Sequence, residues 1–152
     1  RFDERMRGSG AQVHVEFSFC LGIKRAGWRL IYDPALTVEH FLARRFDEDQ
    51  RNSFNKLALE NAIHNETLAL LQHLPFWRRC VFACWAALVG QRKAFGLVQW
   101  FRFWPQERSL ATQKWQASMR GRWQGWLTWR RTQTESTLWT QASPISQTTL
   151  NL

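Results

Sequence analysis

Apolar and polar positions change their spacing several times along this chain of 152 residues. Between residues 15 and 26, Phe17, Cys20 and Leu21 recur at helical spacing, and Ser18, Gly22 and Arg25 form a small or polar stripe beside them. Gly27, just after Lys24 and Arg25, is a helix-stop signal. Residues 28–32 and 36–40 then read as two short strands around an Asp33-Pro34 turn. Residues 44–52 are charged and loop-like. Apolar positions 59, 62, 63, 70, 71 and 74 predict a helix over residues 57–74. Pro75 suits the first turn of a following helix that runs to about Val89. Gly90 and Gly96 punctuate a further apolar stretch, residues 95–104, which Pro105 is expected to end. Residues 109–131 predict a basic amphipathic helix whose apolar stripe is Trp115, Met119, Trp123, Trp126 and Leu127. Residues 132–152 are rich in Ser, Thr and Gln and are expected to be disordered.

Composition sharpens the second half of that picture. Nine of the ten tryptophans lie between Trp77 and Trp139. Residues 1–56 carry ten Lys/Arg against eight Asp/Glu, whereas residues 57–152 carry eleven against four. A basic, Trp-rich half points to anionic surfaces, meaning lipid headgroups or nucleic acid, although a merely solvated basic face has the same composition. No helix-turn-helix, zinc finger or RNP motif supports nucleic acid. Neither residues 80–89 nor residues 95–104 reach the roughly 20 apolar residues that a spanning helix needs. A hairpin lying at the membrane interface therefore fits better than two spans, its rival being an ordinary buried helix pair. The three cysteines cannot all pair internally and show no zinc spacing; Cys20, Cys80 and Cys84 are expected to be buried, reduced thiols in a reducing compartment. The chain begins with Arg1 and shows no secretory pattern, so it is expected to be a portion of something longer.

An ordered set of residues carries a resemblance. It comprises Phe2-Asp3-Glu4-Arg5, Gly8 and Gly10, Glu16, Arg25-Ala26-Gly27-Trp28, Tyr32-Asp33-Pro34-Ala35 and His40. This order resembles the acceptor-side end of the catalytic domain in family 2 glycosyltransferases. Residues 11–14, Ala-Gln-Val-His, and residues 64–79 look like a bacterial subgroup of that family. The resemblance covers about residues 1–45, and the following helices more loosely. It implies an α/β fragment that is mainly α: one helix and two short strands from the end of a GT-A, Rossmann-like domain, followed by a helical, partly amphipathic region. The expected divisions are 1–52, the end of the catalytic domain; 53–104, a helical region at the membrane interface; 105–131, the basic Trp-rich helix; and 132–152, the tail.

The resemblance also implies the chemistry. Such enzymes transfer a sugar from a nucleotide-sugar donor to an acceptor hydroxyl with inversion. The acceptor, a glycan or a lipid-linked molecule, must lose its proton as it attacks, and a carboxylate within hydrogen-bond reach takes it. Glu16 falls on the second acid of the family's Glu-Asp pair; Val15 stands where the first would be, and Ser18 where a later Asp is expected. Glu16 is thus the expected base, set against the plain alternative of a first-turn acid that favours the helix. The resemblance places His40 near the diphosphate and its divalent cation, Mn or Mg, and imidazole suits Mn better. Arg44 and Arg45 are candidates to neutralise diphosphate oxygens. Asp47-Glu48-Asp49 imitates the Asp-x-Asp metal string but lies downstream of the Glu16 helix, in a charged loop, and is rejected. An acceptor contact from His64 is a further candidate. The implied setting is the cytoplasmic face of the bacterial inner membrane, in polysaccharide, glycolipid or exopolysaccharide synthesis. The upstream nucleotide-binding half is missing from this sequence, so the fragment is not expected to act alone. Two other readings stay open: a non-enzymatic basic module that binds anionic membrane or nucleic acid, and a structural helical remnant.

Overall fold

The computed structural model of the chain describes residues 3–8, 13–39 and 53–142, with side chains as far as Thr134. Five helices and one two-stranded antiparallel sheet account for its regular structure. Helix α1 spans Val15–Arg25, α2 Lys56–His73, α3 Phe76–Leu88, α4 Leu97–Glu107 and α5 Ser109–Ala142. The architecture is mainly helical, as expected, but its strands are elsewhere. β1 is Gly90–Gln91 and β2 is Ala94–Phe95, with Gly90 opposite Phe95 and Gln91 opposite Ala94. The strands expected at residues 28–32 and 36–40 do not form within the described part of the chain. Asp33 still makes its turn, accepting the Ala35 N–H at 2.9 Å through its side chain. Among the described residues no strand pairs with the flanking backbone, and Tyr32 and Val38 are each 88% exposed. A strand is stabilised by a neighbouring ladder, and none of the described segments supplies one here.

The centre of the molecule is the crossing of α2 and α5. Asn55 caps α2, its side chain accepting from the N–H groups of Leu57 and Ala58. Ile63, Leu68, Ala69 and Leu71 on α2 are buried. Gly121 and Gly125 of α5 face α2, and Ala117 and Ser118 on the same helix are fully buried. A Cβ on Gly121 would lie 2.7 Å from the Glu60 carbonyl oxygen and 2.9 Å from the Ile63 Cβ. One on Gly125 would lie 2.7 Å from the His64 carbonyl oxygen and 2.9 Å from the Thr67 Cβ. The two backbones approach too closely for any side chain at these positions. The small residues recur at three- and four-residue steps, so they form one seam along the helix.

This seam overturns the expected apolar stripe of α5. Trp123 is 59% exposed and stacks on Trp126 at 4.9 Å, while Trp115 and Met119 are only partly buried. Helix α1 departs from expectation in the same way. Ser18 is buried, and Phe17 is 40% exposed. Gly22 sits where a Cβ would meet the His73 side chain at 3.6 Å, and Leu21 packs on the cluster of Met6, Leu68 and Ala69, so α1 meets α2 with its small stripe and Leu21 while Phe17 is left outside.

Helices α3 and α4 pack on this centre by narrow edges. Pro75 stands at the N-cap of α3, one position before the expected first turn. Only Ala86 of α3 is buried. Cys80 and Cys84 are exposed and Cys20 is partly buried; all three are free thiols, which corrects the expectation of buried ones. Pro105 lies inside α4 and does not end it. Its ring removes one helical bond, and the helix still closes with the Arg108 N–H donating to the Trp104 carbonyl at 2.9 Å. Trp100 ties α4 to α5, with its ring 5.7 Å from that of Trp115 and its N–H bonded to Thr112.

Candidate functional site

The N-terminal unit is held in place by two residues of α2. Asn65 is fully buried. Its side-chain amide donates to the carbonyls of Arg7 (2.8 Å) and Val13 (3.0 Å), and its oxygen accepts the Arg7 N–H at 2.8 Å. Those three bonds fix both sides of the segment that leads into α1 and orient the amide unambiguously. The amide in turn sets the state of His64, whose Nδ1 lies 2.9 Å from the Asn65 oxygen. That oxygen only accepts, so Nδ1 carries the proton, and Nε2 lies 3.0 Å from the Thr128 hydroxyl oxygen, which is also 3.0 Å from the Gln124 carbonyl. Burial lowers the affinity of His64 for a second proton, reinforced by the Arg7 charge and opposed by the Asn65 bond and Asp3. A fully buried, fully bonded His64 cannot touch an acceptor, so that candidate is withdrawn.

Asp3 and Arg5 are also used internally. Arg5 Nε donates to Asp3 at 2.7 Å, and its Nη groups reach Gln72 of α2 (2.6 Å) and Thr132 of α5. Burial pushes the Asp3 carboxyl up, but the Arg5 side-chain and backbone bonds and the Arg5 charge together hold it below its ordinary value. Arg7 reaches Gln124 of α5. The Asp-Glu-Arg segment therefore clasps α2 to α5.

This scaffold separates the three positions where the resembled motif carries acids. Val15 packs against the cluster of Met6, Leu68 and Ala69. Ser18 is turned inward at 5% exposure. Glu16 is exposed in the first turn of α1. An acid at position 15 or 18 would bear the desolvation penalty of a buried charge, whereas one at position 16 meets solvent and the favourable end of the helix. The preceding residue pair is also distinctive: His14 is the α1 N-cap with φ 71° and no capping side-chain bond. At the far end Gly27, φ 89°, stops the helix as its position in the sequence predicts.

Two open clefts flank the unit. One, of about 310 Å³, lies between α1 and the end of α2, lined by Asp3, Ser18, Trp28 and His73. Burial lowers the proton affinity of His73, helped by the Arg25 charge. The other, of about 530 Å³, runs from Val13 and His14 along α2 to the β1–β2 hairpin, and its polar lining includes Glu66, Arg92, Lys93 and Lys114. Lys114 is paired with Glu107 at 2.7 Å. The hairpin that forms this wall is pinned by Arg122, whose guanidinium donates to the carbonyls of Phe95 (2.7 Å) and Ala94 (2.8 Å). Burial pushes Arg122 down to about 10, so it stays charged at neutral pH. Sequence reasoning missed Arg122, because its role depends on a hairpin that brings residues 27 and 28 positions away against it.

His40, Arg44 and Arg45 lie outside the described residues. Among the described residues no three His, Cys, Asp or Glu side chains converge to hold a metal ion. The resemblance places the expected divalent cation beside His40, which is not among the described residues, and no step below passes through that cation. No family model, curated protein or solved structure matches the chain.

Proposed function

We propose that this chain is the acceptor-side end and helical tail of an inverting family 2 glycosyltransferase, with Glu16 as the base. One observation carries the reading. Of the three motif positions that would hold acids, the one that retains an acid is the one exposed at the start of its helix, while the two that lost theirs face the interior. The outward residue can reach an incoming hydroxyl without rearrangement of the fold. The ordered run from Phe2 to His40 supports the same assignment.

In this reading the residues act in sequence. Asn65 fixes the backbone at Arg7 and Val13 and so sets where α1 begins. The α1 start presents Glu16, whose carboxylate takes the proton of the acceptor hydroxyl as that oxygen attacks the anomeric carbon of the donor. The nucleotide leaves from the opposite side, and the configuration inverts. Donor binding belongs to the nucleotide-binding half of the parent enzyme, and His40, Arg44 and Arg45 are the residues of this chain proposed to approach the diphosphate. The neighbouring cleft, with Arg92 and Lys93 on its wall, suits a lipid-linked acceptor that carries a phosphate.

The test is Glu16→Gln in the intact enzyme. Turnover falls by at least about 100-fold while nucleotide-sugar binding persists, as removal of a general base predicts. Turnover at the wild-type level removes Glu16 from the mechanism.

A further inference from the structure

We infer that α3, the β1–β2 hairpin and α4 form a surface that lies in the headgroup region of an anionic bilayer, independently of any role in sugar transfer. The first observation is where the apolar side chains point. α3 turns a narrow stripe inward, Phe82 and Ala86, while Phe76 (77% exposed), Trp77 (61%), Val81 (59%) and Leu88 (55%) face out. α4 has two apolar faces. Trp100 and Phe103 face α5 and the hairpin, and Val98 (52%), Phe101 (67%) and Trp104 (46%) face solvent. Scattered exposed apolar residues are ordinary, but two successive helices with their larger apolar face outward are not.

The hairpin makes these two faces neighbours. Gly90 pairs with Phe95, and a Cβ on Gly96 would lie 2.6 Å from the Val89 carbonyl carbon, so the end of α3 abuts the start of α4. Leu88 and Val98 therefore flank one tight junction.

Charge selects the occupant. No Asp or Glu occurs between Glu66 and Glu107, while Arg78, Arg79, Arg92, Lys93 and Arg102 do. Arg79 is used internally, bonded to the Leu74 carbonyl and set over Trp129. Arg78 and Arg102 are exposed on α3 and α4, 4.9 Å over the Trp77 ring and 5.7 Å over the Phe103 ring, and Arg92 and Lys93 are exposed on the hairpin between them, where they also line the cleft that contains Glu66. Tryptophan beside arginine, with Glu107 at the end of α4 already paired to Lys114, is the composition of an interfacial helix: rings at the acyl boundary and cations on lipid phosphates. A second protein copy would have to meet this field of uncompensated positive charge with itself. No described helix is long and apolar enough to cross a membrane, so the pair lies on the bilayer.

The experiment uses the intact chain and two vesicle populations, phosphatidylcholine alone and phosphatidylcholine mixed with phosphatidylglycerol. Flotation with the mixed vesicles and a blue shift of tryptophan emission are expected, with much weaker binding to the neutral ones. Arg78→Gln with Arg102→Gln weakens binding to the mixed vesicles by roughly fivefold for each cation removed and leaves the melting temperature unchanged. Trp77→Ser with Phe101→Ser weakens it by at least about tenfold. If the latter variant fails to fold, the charge variant still decides, through its loss of affinity and its flatter salt dependence. Equal binding to both vesicle types, no flotation, or self-association that the same substitutions abolish overturns the inference.

Discussion

Helices α3 and α4 hold four tryptophans and α5 holds five, yet the two regions use their apolar side chains in opposite ways. α5 is buried along residues of almost no hydrophobic content, Ala111, Ser118, Gly121 and Gly125, and its Trp123 is left outside. α3 is the most apolar helix, and α3 and α4 turn most of their apolar surface outward. What separates the two is how near a neighbouring backbone comes. At Gly121 and Gly125 the α2–α5 crossing is so close that Ile63 and Thr67 rest on bare backbone, while Trp129 packs on Leu68 and Ala69 further along. The outer helices stand on single aromatic or alanine contacts such as Trp100 and Ala86, which leave the rest of their circumference unclaimed.

The sharpest way to break this contrast is at the seam. Gly121→Val or Gly125→Val places atoms inside contact distance of α2 carbonyl oxygens and should destabilise the chain by about 3 kcal/mol or more, read from the urea midpoint. Gly121→Ala is more diagnostic. On an exposed helix it gains about 1 kcal/mol from propensity, so a net loss of stability here shows that the approach is as close as described. A gain would mean the seam is loose.

Next in size are the polar pins. Asn65→Ala removes three bonds to Arg7 and Val13 and leaves buried partners unpaired, for about 2–4 kcal/mol and selective loss of amide protection before α1. Arg122→Ala should cost about 2–3 kcal/mol, with hydrogen exchange rising first at Ala94 and Phe95. A smaller effect follows from the two histidines. Burial lowers the proton affinity of both His64 and His73, so the unfolded chain takes up protons near pH 6.5 before the folded one does. Stability is therefore full above that pH and falls as the pH drops below it. His64→Gln should flatten the melting-temperature profile between about pH 5 and 7. Smallest of all, Trp77→Ser or Trp123→Ala should change stability by less than about 1 kcal/mol, since both rings are more than half exposed. A large loss from either would place that ring in a core and erase the distinction between the regions.

The positions of the helices were readable because their signals are local. Gly27 after a basic turn, Pro75, and the glycines around residues 90–96 each act on their own backbone, and the structure uses all of them. The face each helix buries was not readable in the same way. The spacing of Phe17, Cys20 and Leu21, or of Trp115, Met119 and Trp123, assumes that the larger apolar stripe faces in. In α5 the smaller stripe does, because α2 is approached there at backbone distance; in α1 Ser18 turns inward beside Leu21 while Phe17 stays outside. The candidate base was legible as Glu16, but that it faces solvent while Val15 and Ser18 do not depends on where α2 lies.

By itself, the sequence determined where most helices start, the excess of positive charge between Glu66 and Glu107, and the one acid available at the start of α1; it did not fix where α4 and α5 stop, since α4 continues through Pro105 and α5 continues to Ala142. Those properties belong to single residues and their chain neighbours, so no partner is needed to express them. The tertiary structure decided which faces touch, that His64 and Asn65 serve the fold and not a ligand, and that Arg122 holds the hairpin. Each of these depends on groups far apart in the chain arriving within about 3 Å of one another, and residue spacing alone carries no record of that distance.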